Sequence, residues 1–192
     1  MEQPEKGSRQ PYYYAFHKDK KDDRKSILNW WEALKDNRGD RAHLRRCNSP
    51  LEVITQPGFH RLSKSLPYWT NQHLMGLATV AGLLSHLEQK TNSHLPTQLG
   101  SAKEGGKSPI YSELRFQQLL SSETADDLYR NLRRALTFLN GGTDPILLAD
   151  GILHWHLERK TPERYAANRS WKFRWARAYY EEVFKYQKES KS

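Results

Sequence analysis

Arginine dominates the residues that could do chemistry in this sequence, and it is clustered. Between residues 124 and 139, Leu128, Leu132, Ala135, Leu136 and Leu139 fall on one side of a helix turning about 100° per residue. Arg130, Arg133 and Arg134 fall on the opposite side. Such a helix buries its leucines and presents a cationic stripe. Arg133 and Arg134 have no carboxylate four residues on, which leaves them available to phosphates. Asp126, four residues before Arg130, can pair with it locally, so a solvated, ion-paired face is the competing account. A second cluster, Arg38, Arg41, Arg45 and Arg46, is interrupted only by Asp40. Arginine suits phosphate because its planar fork donates two parallel hydrogen bonds. A third cluster, Arg164, Arg169, Lys172, Arg174 and Arg177, contains no acid between its ends and is interleaved with Trp171, Phe173 and Trp175. Bases stack on such rings while cations follow the strand. Alternatively, the rings anchor the last helix in a core. Lys103 and Lys107, in a glycine-rich loop, could reach a strand or merely keep the loop soluble.

Patterns for catalysis are thin. Asp150, His154 and Glu158 stand four residues apart and share a helix face, which makes a metal-dependent hydrolase conceivable. No HExxH pattern accompanies them, and no further ligand can be placed. Gly105-Gly106-Lys107-Ser108 resembles the end of a phosphate-binding loop but lacks the first glycine and a preceding strand. Cys47 is the only cysteine, so there is neither an internal disulfide nor a cysteine-built zinc site, and it lacks a base partner. The chain is read as no enzyme, with no cofactor and no metal.

The elements that must position these residues read as helices throughout. Residues 1–25 form an N-terminal arm. Ser26 is placed to cap a helix carrying Ile27, Leu28, Trp30, Trp31 and Leu34; Gly39 ends it, and Asp40 caps a second short helix. Pro50, Pro57 and Pro67 mark further starts and turns. Leu74, Leu77, Ala78, Ala81 and Leu84 give a longer helix over residues 71–90. A polar, Gly-rich stretch, residues 91–110, reads as a loop or linker and as a domain boundary. Beyond it come a helix with Leu114, Phe116, Leu119 and Leu120, the arginine-striped helix, one opened by Asp144-Pro145, and a last segment from Thr161-Pro162 to about residue 188. No strand alternation appears. The expected fold is all-α: a helical subdomain over residues 26–90 and a second, a helix bundle with a basic aromatic end, over 111–192.

The 192 residues include 31 Lys+Arg against 22 Asp+Glu, a formal charge of +9. The excess is +2 over residues 1–25, +4 over 26–109 and +3 over 110–192, so it is spread over the folded body. That balance favours an anionic partner, most commonly nucleic acid. At 11% aromatic residues the chain is too rich in rings for wholesale disorder. No apolar run approaches the roughly 20 residues that span a bilayer, and the polar N-terminus lacks a secretory stretch. A basic cytoplasmic protein with no membrane partner is expected. A helix-turn-helix repressor is a further alternative, which would prefer one DNA sequence.

Several segments together resemble the CasB-type small subunit of the type I-E Cascade complex, an RNA-guided CRISPR surveillance assembly. They are Trp31 to Leu34; Gly39-Asp40-Arg41-Ala42-His43-Leu44-Arg45-Arg46; Phe59-His60-Arg61-Leu62; the Leu99-Gly100 loop; Leu114-Arg115-Phe116-Gln117-Gln118-Leu119-Leu120; and Leu132-Arg133-Arg134-Ala135-Leu136. Their order and spacing match over about residues 27–158; the N-terminal arm and the aromatic-basic C-terminus depart from shorter members. The resemblance implies a noncatalytic helical protein that assembles as a pair of copies with other Cascade subunits. It implies contacts with guide RNA and target DNA, including the displaced strand of the R-loop. It carries binding to Arg41, Arg45, Arg46, Arg115, Arg133 and Arg134. Lys103, Lys107 and Arg130 join them by position, and Arg169, Lys172, Arg174 and Arg177 by composition. The competing function is a helical module that docks onto protein and touches no nucleic acid itself.

Overall fold

A computed structural model describes residues 13–16, 20–104 and 106–189. Its elements follow from one unusually apolar segment. Helix α6 (Leu74–Leu84) is buried at every position from Gly76 to Leu84. A helix that is apolar on all sides can only sit at a centre. Around it pack α3 (Pro50–Val53), α4 (Pro57–Ser65), α5 (Pro67–Gln72), α9 (Ala125–Phe138) and α10 (Pro145–Lys160). Gly82 lets α9 approach closely: a Cβ there would stand 2.6 Å from Tyr129 Oη and 2.9 Å from Val53 Cγ2. Helices α1 (Lys21–Asp36) and α2 (Arg38–Arg46) cover one side. On another, α11 (Trp171–Glu189) lies against α7 (Leu95–Gly100) and α8 (Glu113–Leu120). The buried apolar side chains form one continuous cluster.

The all-α expectation holds; among the described residues the only strands are β1 (Gln89–Lys90) and β2 (Gly142–Thr143), paired in parallel. The pairing is set by the turn after α9, where Asn140 (φ 49°) and Gly141 (φ 68°) adopt left-handed conformations and Gly141 O accepts the Glu88 N–H at 2.9 Å. No helix among the described residues is long and apolar enough to cross a membrane.

Several boundaries differ from the sequence expectation. Helix α1 begins at Lys21, a turn before Ser26, so the arm is shorter than residues 1–25; residues 1–12 and 17–19 of it lie outside the described residues. Asn37, not Asp40, caps α2, its side chain accepting the Asp40 N–H at 3.2 Å, and Gly39 lies inside that helix. The helix expected over 71–90 is divided at His73 and ends at Leu84. The segment read as a loop or linker over 91–110 contains α7, whose Leu95, Pro96, Leu99 and Gly100 are buried. Two leucines, a proline and a glycine carry that burial, too short a signal for periodicity to reveal. Thr161-Pro162 opens a single 3₁₀ turn, and the final helix starts at Trp171, where Ser170 Oγ accepts the Phe173 N–H at 3.2 Å.

Candidate nucleic-acid interface

Helix α9 is built as its pattern requires. Thr124 and Asp127 form a reciprocal capping box, Thr124 Oγ1 accepting the Asp127 N–H at 3.1 Å. Leu128, Tyr129, Leu132, Ala135 and Leu136 are buried against the core. Arg130 and Arg134 are exposed one turn apart, while Arg133 is half-buried. Arg130 pairs with Asp127 (2.5 Å) rather than Asp126, because the capping box already turns Asp127 towards that side. Arg134 has no hydrogen bond or ion pair among the described residues.

The turn after α2 is tied directly to α9. Tyr129 Oη donates to the Cys47 carbonyl at 3.2 Å, and Arg133 Nη1 donates to the same oxygen at 3.3 Å and to Asn48 Oδ1 at 3.1 Å. Two arginine runs far apart in sequence therefore meet. Arg45 and Arg133 face one cleft of about 280 Å³, completed by His86, Glu88, Leu136, Thr137, Asn140 and Gly141. His86 reports the field there: burial first, then Arg133, Arg45 and Arg41, lower its pKa to about 4. Arg46, at the end of α2, is exposed and unpaired among the described residues. Arg41 is committed elsewhere. It donates to the carbonyls of Ser85 (3.1 Å) and Leu87 (2.7 Å) and pairs with Glu88 at 3.0 Å, fastening α2 to the end of α6.

Arg115, exposed on α8, lies over the Phe138 ring at 5.0 Å. Arg115 and Arg134 both lie near Tyr111, each countering the rise that burial gives its pKa. Lys103 and Lys107 project from the turn after α7, closed by the Lys103 N–H to Ser108 O bond at 3.0 Å; Gly105 lies outside the described residues.

The aromatic-basic C-terminus divides. Trp171 and Trp175 are 1% exposed and belong to the core, while Phe173 remains 47% exposed. Lys172 shares a shallow groove with Phe173, Ala176, Gln117, Leu120 and Ser121, and Arg169 is exposed on the preceding turn. Arg177 pairs with Glu181 at 2.5 Å. Arg174 turns inward, stacked over the Tyr14 ring and bonded to His154 Nδ1 at 3.1 Å.

The residues weighed as metal ligands have other tasks. Asp150 accepts the backbone N–H groups of Tyr14, Ala15 and Phe16 at 2.8–3.0 Å. His154 is fully buried and stacked on Tyr14, and Glu158 accepts the Trp171 N–H at 2.6 Å. Among the described residues no group of His, Cys, Asp or Glu is arranged to hold a metal ion. The Cys47 thiol is buried, which raises its pKa, and it donates to the His43 carbonyl.

The sequence reading missed Glu88 as the partner of two arginines, because nothing in its neighbourhood points to α2. It also missed the docking of residues 13–16, for which the aromatic run Tyr13-Tyr14-Ala15-Phe16 was the available signal.

The model of the family described as CRISPR-associated protein Cse2 matches residues 40–180, nearly three quarters of the chain. The chain belongs to the Cse2 family. Cse2 proteins are the structural small subunits of the type I-E Cascade complex. The match spans Arg41, Arg45 and Arg46, the whole of α7 and α9, and about half of α11. No curated protein and no solved structure matches the chain.

Proposed function

We propose that this Cse2-family protein binds nucleic acid without reading sequence, within a cytoplasmic Cascade complex. There it steadies the pairing of guide RNA with target DNA and the displaced strand of the R-loop. The supporting observation is the convergence of α2 and α9, whose Arg45 and Arg133 face one cleft; Arg46 lines a separate shallow pocket with His43, Cys47, Glu52 and Gln56, and Arg134 and Arg115 lie near Tyr111. Guanidinium groups on a rigid helical face suit backbone phosphates, which position a strand without specifying it. Guide pairing supplies the specificity. Exchanging DNA duplex for RNA–DNA hybrid is nearly balanced, so modest protein contacts shift the outcome. The partners in this account are guide RNA, both target strands, the larger Cascade subunits and a second copy of the chain.

The test uses the assembled complex. Reversing Arg46 and Arg134 to Glu should leave assembly intact and lower the fraction of R-loop, most clearly at higher salt. Equal R-loop formation by wild type and variant would refute the role of this face. The competing account, docking onto protein alone, draws on the exposed Leu114, Phe173 and Phe184 of α8 and α11. Strand-to-protein crosslinks mapped to α2 and α9 favour the first account; their confinement to neighbouring subunits favours the second.

A further inference from the structure

Among the described residues Glu88 is the one acid lining the α2–α9 cleft, and its two oxygens serve two different arginines. Oε1 accepts from Arg45 Nη1 at 2.8 Å, and Oε2 lies 3.0 Å from Arg41 Nη2. The two guanidinium groups are not equivalent. Arg41 is half-buried and already bonded to the Ser85 and Leu87 carbonyls, so it stays in place whatever enters the cleft. Arg45 is exposed, and Glu88 is its one hydrogen-bond partner among the described residues. On the facing wall, Arg133 uses Nη1 on Cys47 and Asn48, and its Nε and Nη2 have no partner among the described residues. The exposed Asn140 side chain and Thr137 complete the rim. Two guanidinium groups thus hold one carboxylate, and a third lines the same cleft.

We propose that this cleft seats one backbone phosphate of a bound strand between Arg45 and Arg133, and that Glu88 holds the Arg45 guanidinium in the free protein and yields it to that phosphate. The inference rests on the nucleic-acid function proposed above. A carboxylate and a phosphate each present a pair of oxygens to the same fork, so one anion can replace the other. Arg41 retains Glu88 during the exchange, so no carboxylate is left without a cation. A lone small anion competes poorly with a carboxylate tethered at the site. A strand held at other cations at the same time competes well, because its next phosphate arrives at high effective concentration. Glu88 therefore discriminates in favour of polyanions.

The experiment measures binding of a fluorescein-labelled oligothymidylate to the full-length protein over a range of salt. The variants are E88Q, R45Q, their combination, and E163Q, which removes an exposed acid elsewhere. E88Q should bind several-fold more tightly at low salt, R45Q more weakly, and the double variant no more tightly than R45Q. E163Q should change affinity less than twofold. R45Q should also reduce the slope of log K against log salt by about 0.7, the contribution of one phosphate contact on a single strand. If E88Q tightens binding equally in the R45Q background, or E163Q matches it, Glu88 acts only through overall charge and the seat does not exist. Were E88Q to lose its fold through Arg41, R45Q alone decides: a lower slope supports the seat and an unchanged slope overturns it. Absence of binding by the wild type and by every variant removes the nucleic-acid function itself, and the seat with it.

Discussion

Arg174 lies face-on over the ring of Tyr14, its guanidinium carbon 3.0 Å from the ring centroid, with His154 stacked against the same ring at 4.9 Å. The two residues come from opposite ends of the chain, and Asp150 holds them in register by accepting three successive backbone N–H groups from residues 14–16. Phe16 continues the docking, fully buried and edge-on to Trp69. Burial raises the Asp150 pKa, and the three N–H groups and Arg174 work against that rise. Asp150→Asn should cost about 2 kcal/mol of stability, the scale of hydrogen bonds to a charged group. Urea unfolding measures the loss. Hydrogen exchange should show Tyr14, Ala15 and Phe16 losing protection first, and unchanged protection there would contradict the assignment.

Acid should weaken the fold before carboxylates titrate. Burial, aided by nearby cations, lowers His86, His94 and His156 to about 4 and His154 to about 3. Between an ordinary value near 6.5 and these folded values, the unfolded chain takes up protons that the folded chain refuses. Stability is therefore complete above about pH 6.5 and falls towards pH 4, by about 1.4 kcal/mol per pH unit for each fully responsive histidine. Urea midpoints at pH 7 and pH 5 give the slope, and His154→Gln should flatten it. A profile level across that window would exclude neutral, buried imidazoles.

Arg41 and Arg134 should fail in opposite ways. Arg134→Gln removes an exposed cation with no hydrogen bond or ion pair among the described residues, so stability should stay within about 0.5 kcal/mol while strand binding weakens and its salt slope drops by about 0.7. Arg41→Gln strips the charged donor from two carbonyls and from Glu88, and should cost about 2 kcal/mol in thermal or urea unfolding. If Arg134→Gln instead unfolds the protein with binding per folded molecule unchanged, that cation is structural.

A methyl group at Gly100 would run into the backbone carbonyl of Tyr179, where α7 packs on α11. Backbone cannot move aside as a side-chain tip can, so Gly100→Ala should destabilise by about 1–3 kcal/mol. A freely moving linker at this position would tolerate alanine without loss, which calorimetry distinguishes.

Trp175→Ala should cost about 3–5 kcal/mol because its ring is in the core, whereas Lys172→Gln should leave the melting temperature alone and weaken only strand binding. The reverse outcome would return Trp175 to the surface.

Much of the helix pattern was open to sequence reasoning. The leucine side of α9 follows from 3.6-residue periodicity and is kept, and on the opposite side Arg130 and Arg134 are exposed while Arg133 is half-buried. The helices at Pro50 and Pro145 were marked by a residue whose ring fits a first turn, whereas Pro57 and Pro67, read as turns, also open helices. Short elements were harder. Helix α7 carries too few apolar positions to show a period, and Ser26 offers a cap that the chain passes over because α1 already has a turn before it.

Composition and periodicity determined by themselves that this protein is helical, basic over its whole length and striped with arginine on the helix after Thr124. Those properties depend on neighbours along the chain, within a turn or two. Which arginines remain open to a strand was decided only by tertiary structure. Arg41, Arg45 and Arg46 look alike in sequence, yet one is tied to carbonyls, one is paired with Glu88 and one is exposed with no hydrogen bond or ion pair among the described residues. Arg174 looks like Lys172 but faces Tyr14. Guanidinium chemistry is the same in each case; what differs is the carbonyl, carboxylate or ring that folding brings beside it from a distant part of the chain.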